Sequence, residues 1–119
     1  FMNAASKSPP SDKIELYDRL IAAHPDIERK GKTMPYTSLN GHMFSFLSKD
    51  AHMGLRLPAD EREKFLRDYD TELMEQYGSI MKEYVKVPDE LLSDTDKLSE
   101  YLQISFEYVS TLKPKPTKK

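Results

Sequence analysis

The chain contains no cysteine. That absence removes disulfides, thiolate zinc centres and cysteine nucleophiles together, and it fits a reducing compartment. No apolar run approaches the roughly 18 residues that a membrane span needs, and the opening FMNAASKSPP lacks the apolar centre of a signal peptide. The expected location is therefore the cytoplasm, with no membrane partner. Glycine-rich phosphate loops are missing as well, and Ser38, Ser45 and Ser48 have none of the glycines of a nucleophile elbow. Nor is there an excess of positive charge: 18 basic against 20 acidic residues give a formal net charge of −2, so no general attraction to nucleic acid is expected.

What is present is enough chain, 119 residues, for one domain whose core needs no disulfide or metal staple. Its centre is the stretch from Met34 to Leu57, which reads as a three-stranded antiparallel meander. Asn40-Gly41 is the dipeptide of a type I′ hairpin, and Lys49-Asp50 offers a second reversal. If the turns pair Leu39 with His42 and Ser48 with Ala51, the two-residue period assigns each side chain to a face. Pro35, Thr37, Leu39, His42, Phe44, Phe46, Met53, Leu55 and Leu57 then form the core face. Met34, Tyr36, Ser38, Met43, Ser45, Leu47, His52, Gly54 and Arg56 form a second face, more apolar than a solvated sheet needs.

Around the meander the pattern is mostly helical. Ser11 or Asp12 can cap a helix carrying Ile14, Tyr17, Leu20 and Ile21, ended at His24-Pro25. Asp26 to Lys32 reads as a connector with a short edge strand at Ile27 to Arg29. Pro58 and the acidic Asp60, Glu61 and Glu63 open a second helix with Phe65, Leu66 and Tyr69 buried. Thr71 to Gly78 suggests a further helical turn, and Ile80 to Val87 a fourth strand stopped by Pro88. Asp89 to Leu92 is one short turn. Asp94 or Thr95 then caps a last helix with Leu98, Tyr101, Leu102, Ser105, Phe106, Val109 and Leu112 on its apolar stripe. The expectation is an α+β domain: helix, three-stranded antiparallel meander, helix, strand and C-terminal helix packed on a mostly antiparallel sheet. The domain spans residues 11–112, between a loose segment at 1–10 and a basic flexible tail at 113–119.

No catalytic residue, metal ligand set or cofactor is expected. The assumed register sends His42 and His52 to opposite faces, and His24 belongs to a helix end, so the histidines do not converge. The acidic residues opening the second helix complement its dipole. Two readings of the second face remain. Tyr36 and Met43 suit an unknown protein partner or a second copy of the chain. Tyr36, His52 and Arg56 could instead gather a small ligand, with Arg56 clamping a carboxylate or phosphate.

The segments SLNGHMFSFLSKDAHMGLRLP and MKEYVKVPDELL, followed by a terminal helix, resemble the TfoX N-terminal-like domain family, small α+β domains named for a regulator of bacterial competence. Gly41, Met43, Phe44, Tyr84 and Pro88 are the matching positions, and the resemblance covers approximately residues 12 to 112. It implies a non-enzymatic cytoplasmic regulatory domain that acts through protein contacts.

Overall fold

The computed structural model describes residues 11–31, 34–48, 52–76 and 78–113. In chain order the elements are α1 (Ser11–Ala22), β1 (Tyr36–Leu39), β2 (His42–Leu47), β3 (Met53–Arg56), α2 (Ala59–Asp68), β4 (Leu73–Gln76), β5 (Ser79–Val87), α3 (Asp89–Leu92) and α4 (Thr95–Ser110). The strands form one antiparallel sheet in the order β1-β2-β3-β5-β4. This is the expected α+β architecture, with a strand, β4, where a further helical turn was expected. The outlying segments at 1–10 and 114–119 lie outside the described residues, as does the reversal at Lys49-Asp50.

Asn40 and Gly41 have φ of 54° and 84°, the pair of positive values that a type I′ turn requires, and Leu39 faces His42 as expected. The register beyond that point differs from the expected one. Between Thr37 and Ser38 it shifts by one residue, so that Ser38 faces Met43 while Thr37 faces Ser45, and Phe44 is the extra residue of a β-bulge. The β2–β3 ladder pairs Leu47 with Met53 and Phe46 with Gly54, and Ser48 N–H donates to the His52 carbonyl at 2.8 Å. The closing pair is thus Ser48 and His52, with three residues between them where two were expected. The extra residue at Phe44 inverts facing along the rest of β2, and the longer loop then returns β3 to its expected facing. Leu47, expected on the second face, is fully buried in the core, and Phe46, expected in the core, lies on the second face beside Gly54. Ser45 likewise turns inward.

A second correction concerns Thr71 to Gly78. Helix α2 ends at Asp68 with Tyr69 as its C-cap, and Asp70 follows with a φ of 50°, in the left-handed region. Thr71 N–H then reaches back to the Leu66 carbonyl at 3.1 Å, the six-to-one bond of a Schellman cap with aspartate in the usual place of glycine. The chain leaves the helix extended and becomes β4, which pairs with β5. Ile27 to Arg29 is not a strand; the edge of β1 is met by a single bridge from Lys30 to Tyr36.

The helices pack on one face of the sheet. Tyr17, Leu20, Phe65, Leu98, Leu102 and Val109 from helices join Leu47, Met53, Leu55, Val85 and Val87 from strands in one core. Inside it the Ser45 hydroxyl lies 2.7 Å from the Tyr17 hydroxyl and 2.6 Å from that of Thr37, all three residues being fully buried. Two carbonyls near the bulge are satisfied by side chains: Ser105 Oγ donates to Phe44 O at 3.3 Å, and Tyr84 OH to Met43 O at 2.6 Å. Removing the shared middle hydroxyl by Ser45→Ala strips both neighbours of a partner, whereas Tyr17→Phe leaves the other two paired. Urea unfolding should show Ser45→Ala costing roughly 2 kcal/mol or more, and Tyr17→Phe about 1 kcal/mol.

Candidate functional site

The second face of the sheet is defined by alternation from the observed ladders. Tyr36, Phe46, Gly54 and Lys86 form one row across four strands, and Met43 projects on the same side one step along. Phe46 and Met74 are buried here, yet neither belongs to the core formed with the helices. They pack over Gly54: a Cβ built there would collide with the Phe46 ring and stand 3.0 Å from Met74 Cγ. Tyr84 adds an edge-to-face contact with Phe46, ring centroids 5.8 Å apart. The face is therefore an apolar and aromatic strip of Tyr36, Met43, Phe46, Met74 and Tyr84. Phe46 takes the place that the sequence reading gave to Leu47.

Of the four residues singled out from the sequence, Tyr36 and Met43 lie together on this strip, each half-buried. His52 precedes β3 and Arg56 ends it, so the two stand roughly 13 Å apart along the strand. Arg56 is already engaged. Its Nε donates to Glu83 Oε1 at 2.6 Å, and its guanidinium sits 5.7 Å from the Tyr108 ring centroid. That partly buried ion pair is the surface-acid pairing that competes with a ligand clamp. Tyr36, His52 and Arg56 are thus not brought together as a pocket.

The three histidines have separate surroundings. His42 Nε2 lies 2.8 Å from the Lys113 carbonyl, fastening the end of α4 to the first hairpin. A cut after Leu112, which looks harmless from the helix stripe alone, would remove that carbonyl. His24 contacts Ser99 and Gln103 of α4, and it lines an open cleft of about 530 Å³ with Ile21, Pro25, Ile27 and Arg29. Sequence reasoning missed this group, since its members are more than 70 residues apart; only the four-residue spacing of Ser99, Gln103 and Glu107 could be read in advance. Among the described residues no three His, Asp or Glu side chains converge as a metal set, and no helix is long and apolar enough to cross a membrane.

Comparison with protein-family profiles, with curated proteins and with solved structures finds no match to this chain.

Three tyrosines have ionisation shifted in one direction. Burial holds the Tyr17 hydroxyl above the ordinary phenol range despite its hydrogen bond to Ser45. Burial also raises Tyr84, and the hydrogen bond to Tyr69 with some burial pushes Tyr101 up to about 12. In the unfolded chain these phenols ionise near pH 10, so above that pH the unfolded state binds fewer protons than the folded one and stability falls as pH rises. The stabilisation is fully present below about pH 10. Denaturant titrations from pH 8 to 11 should show a downward slope starting near pH 10, shallower in Tyr17→Phe. A further test is steric. Gly54→Ala should displace Phe46 or Met74 and lower stability by about 1–3 kcal/mol, with aromatic NMR shifts confined to Phe46 and Tyr84.

Proposed function

We propose that this chain is a protein-interaction module that docks through the second face of its sheet, in keeping with its resemblance to TfoX N-terminal-like regulatory domains. The observation that supports this reading is the half-buried Tyr36, Met43 and Tyr84, beside the buried Phe46, on a face that contributes nothing to the core shared with the helices. A sheet needs one buried face for stability and can leave the other polar. Aromatic and methionine side chains on the second face match the composition enriched at protein interfaces, and methionine adapts its shape to a partner.

A second copy of the chain is the partner we propose. A five-stranded face with strands about 4.8 Å apart is about 24 Å wide, and strands mostly of four to six residues make it about 13–20 Å long; the resulting roughly 300–500 Å² is smaller than the roughly 800 Å² per partner of a standard stable interface. Self-association through it should be weak and concentration-dependent. The absence of cysteine supports a cytoplasmic setting.

The small-ligand alternative for this face has less support, because His52 and Arg56 stand at opposite ends of β3 and Arg56 is paired with Glu83. Light scattering and NMR dilution from micromolar to millimolar concentration test the preferred reading. Expected are a rise in average mass and shift changes clustered on Tyr36, Met43, Phe46 and Tyr84, both suppressed in the Tyr36→Ser, Met43→Ser double variant. Monomers throughout the range, with no concentration-dependent shifts on this face, would refute self-docking.

A further inference from the structure

The two edges of the sheet differ. Beside β1, Lys30 exchanges main-chain N–H to carbonyl bonds with Tyr36 at 2.8 and 3.0 Å, so that edge is partly occupied. β4 ends the sheet on the other side and has β5 as its only neighbouring strand. Glu72 O accepts from Lys86 N–H at 2.8 Å, which turns the Glu72 main chain toward β5. Main-chain groups alternate between the two sides of a strand, so the N–H and C=O of Leu73 and Glu75 point to the open edge. Side chains alternate in step: Leu73 packs against the core shared with the helices, and Met74 lies over Gly54 on the second face. No main-chain bond joins Leu73 or Glu75 to a described residue outside the sheet. An open row of donors and acceptors is a template for an added strand.

The charge around β4 selects among strands. From Asp68 to Met81 the chain carries Asp68, Asp70, Glu72 and Glu75 and no lysine or arginine. Glu72 is held by Lys86 at 2.9 Å, whereas the exposed Glu75 has no cation of the described residues within ion-pair distance. One segment of the same chain has the opposite character: residues 113–119 hold Lys113, Lys115, Lys118 and Lys119 and no acid. Its prolines are two residues apart. In an extended strand Pro114 and Pro116 would share one edge, where their missing N–H groups are not needed, while Lys115 and Thr117 would present both N–H and C=O to the other. Such a strand pairs on one side only, so it completes a sheet without offering a new edge.

We propose that β4 accepts residues 113–119 of a second copy of the chain as an added antiparallel strand, with Lys115 opposite Glu75, Pro116 opposite Met74 and Thr117 opposite Leu73. In this register Lys115 and Glu75 exchange both main-chain bonds, Thr117 and Leu73 do the same, and opposite charges stand directly across from one another. The tail must come from another molecule. Lys113 O lies 2.8 Å from Nε2 of His42 on β2, and Lys115 can stand at most about 7 Å from Lys113. The open side of β4 is four strand spacings from β2, roughly 19 Å. This contact is separate from docking through the second face: it uses the main chain of one edge, and each can exist without the other.

The test is an NMR titration of the intact 15N-labelled chain, at micromolar concentration, with synthetic peptides of residues 113–119. Expected are saturable amide shifts centred on Leu73 and Glu75 at millimolar peptide, with binding weakened about three- to tenfold by Glu75→Lys. A peptide N-methylated at the Lys115 amide keeps every charge but loses one facing N–H, and it should not produce these shifts; a Pro116→Ala peptide should still bind. Simple charge attraction would make the N-methylated and parent peptides equivalent. That result would overturn the proposal, as would the absence of shifts at Leu73 and Glu75, or shifts centred on Tyr36, Met43 and Phe46 instead. Docking through the second face is read separately, from concentration-dependent shifts without peptide, so either contact can fail while the other stands.

Discussion

The extra residue at Phe44 is the constraint on which the rest of the sheet depends. Without it, the turn at Asn40-Gly41 would send Phe46 into the core and leave Leu47 outside; with it, β1 and β3 keep the facing their sequences indicate while the second half of β2 is inverted. A bulge interrupts the ladder and frees main-chain groups that water cannot reach in a buried strand. Here the carbonyls of Met43 and Phe44 are taken by Tyr84 and Ser105, two side chains from distant parts of the chain. The Phe44 ring itself packs edge-on against Phe106 of α4, centroids 5.8 Å apart. The bulge thus directs both where α4 crosses the sheet and which aromatic residues appear on the far side.

Its second effect is chemical. Turning Ser45 inward places a hydroxyl in a core otherwise dominated by leucine, valine and phenylalanine, and that hydroxyl is tolerated because Tyr17 and Thr37 meet it there. Among the described residues every fully buried side-chain nitrogen or oxygen has a partner. A satisfied polar cluster adds little net stability over an apolar one of similar shape, but a shifted register would leave its members unpaired at a cost of about 1–3 kcal/mol each. The cluster therefore acts more on uniqueness of register than on total stability.

Much of the fold was legible in the sequence. The stripes of α1, α2 and α4, the proline start of α2, the stop of β5 at Pro88 and the Asn-Gly turn depend on spacing and local geometry, and they appear where the sequence indicated. The failures share a cause. Neither the extra residue at Phe44 nor the longer reversal after Ser48 is marked in composition, and together they invert Phe46 and Leu47 while β3 keeps its expected facing. The strand β4 was hidden because Asp70 ends α2 in a conformation usually assigned to glycine, so Leu73 and Met74 read as one more helical turn. Of the residues proposed for a site, Tyr36 and Met43 are neighbours because adjacent strands carry them. His52 and Arg56 share a strand but not a location, and the meeting of His24 with Ser99 has no trace in local sequence.

The polar fasteners are unevenly distributed, and that asymmetry separates two halves of the sheet. Tyr17 to Ser45, Ser105 to Phe44 and His42 to Lys113 all join the helical layer to β2. Directional bonds at three points fix position along the strand, which apolar contact alone does not. On the other side, α2 and the start of α4 hold β4 and β5 through Leu73, Val85 and the edge-to-face and tilted rings of Phe65, Tyr69 and Tyr101. There the β4–β5 pairing runs from Leu73 opposite Val85 to Glu75 opposite Ile80, with several residues of β5 left unmatched between them. Hydrophobic packing is non-directional and accepts such an irregular ladder. The strand held by these three bonds, β2, carries Met43 and Phe46, so part of the strip proposed for docking rests on a strand whose position is set by directional contacts.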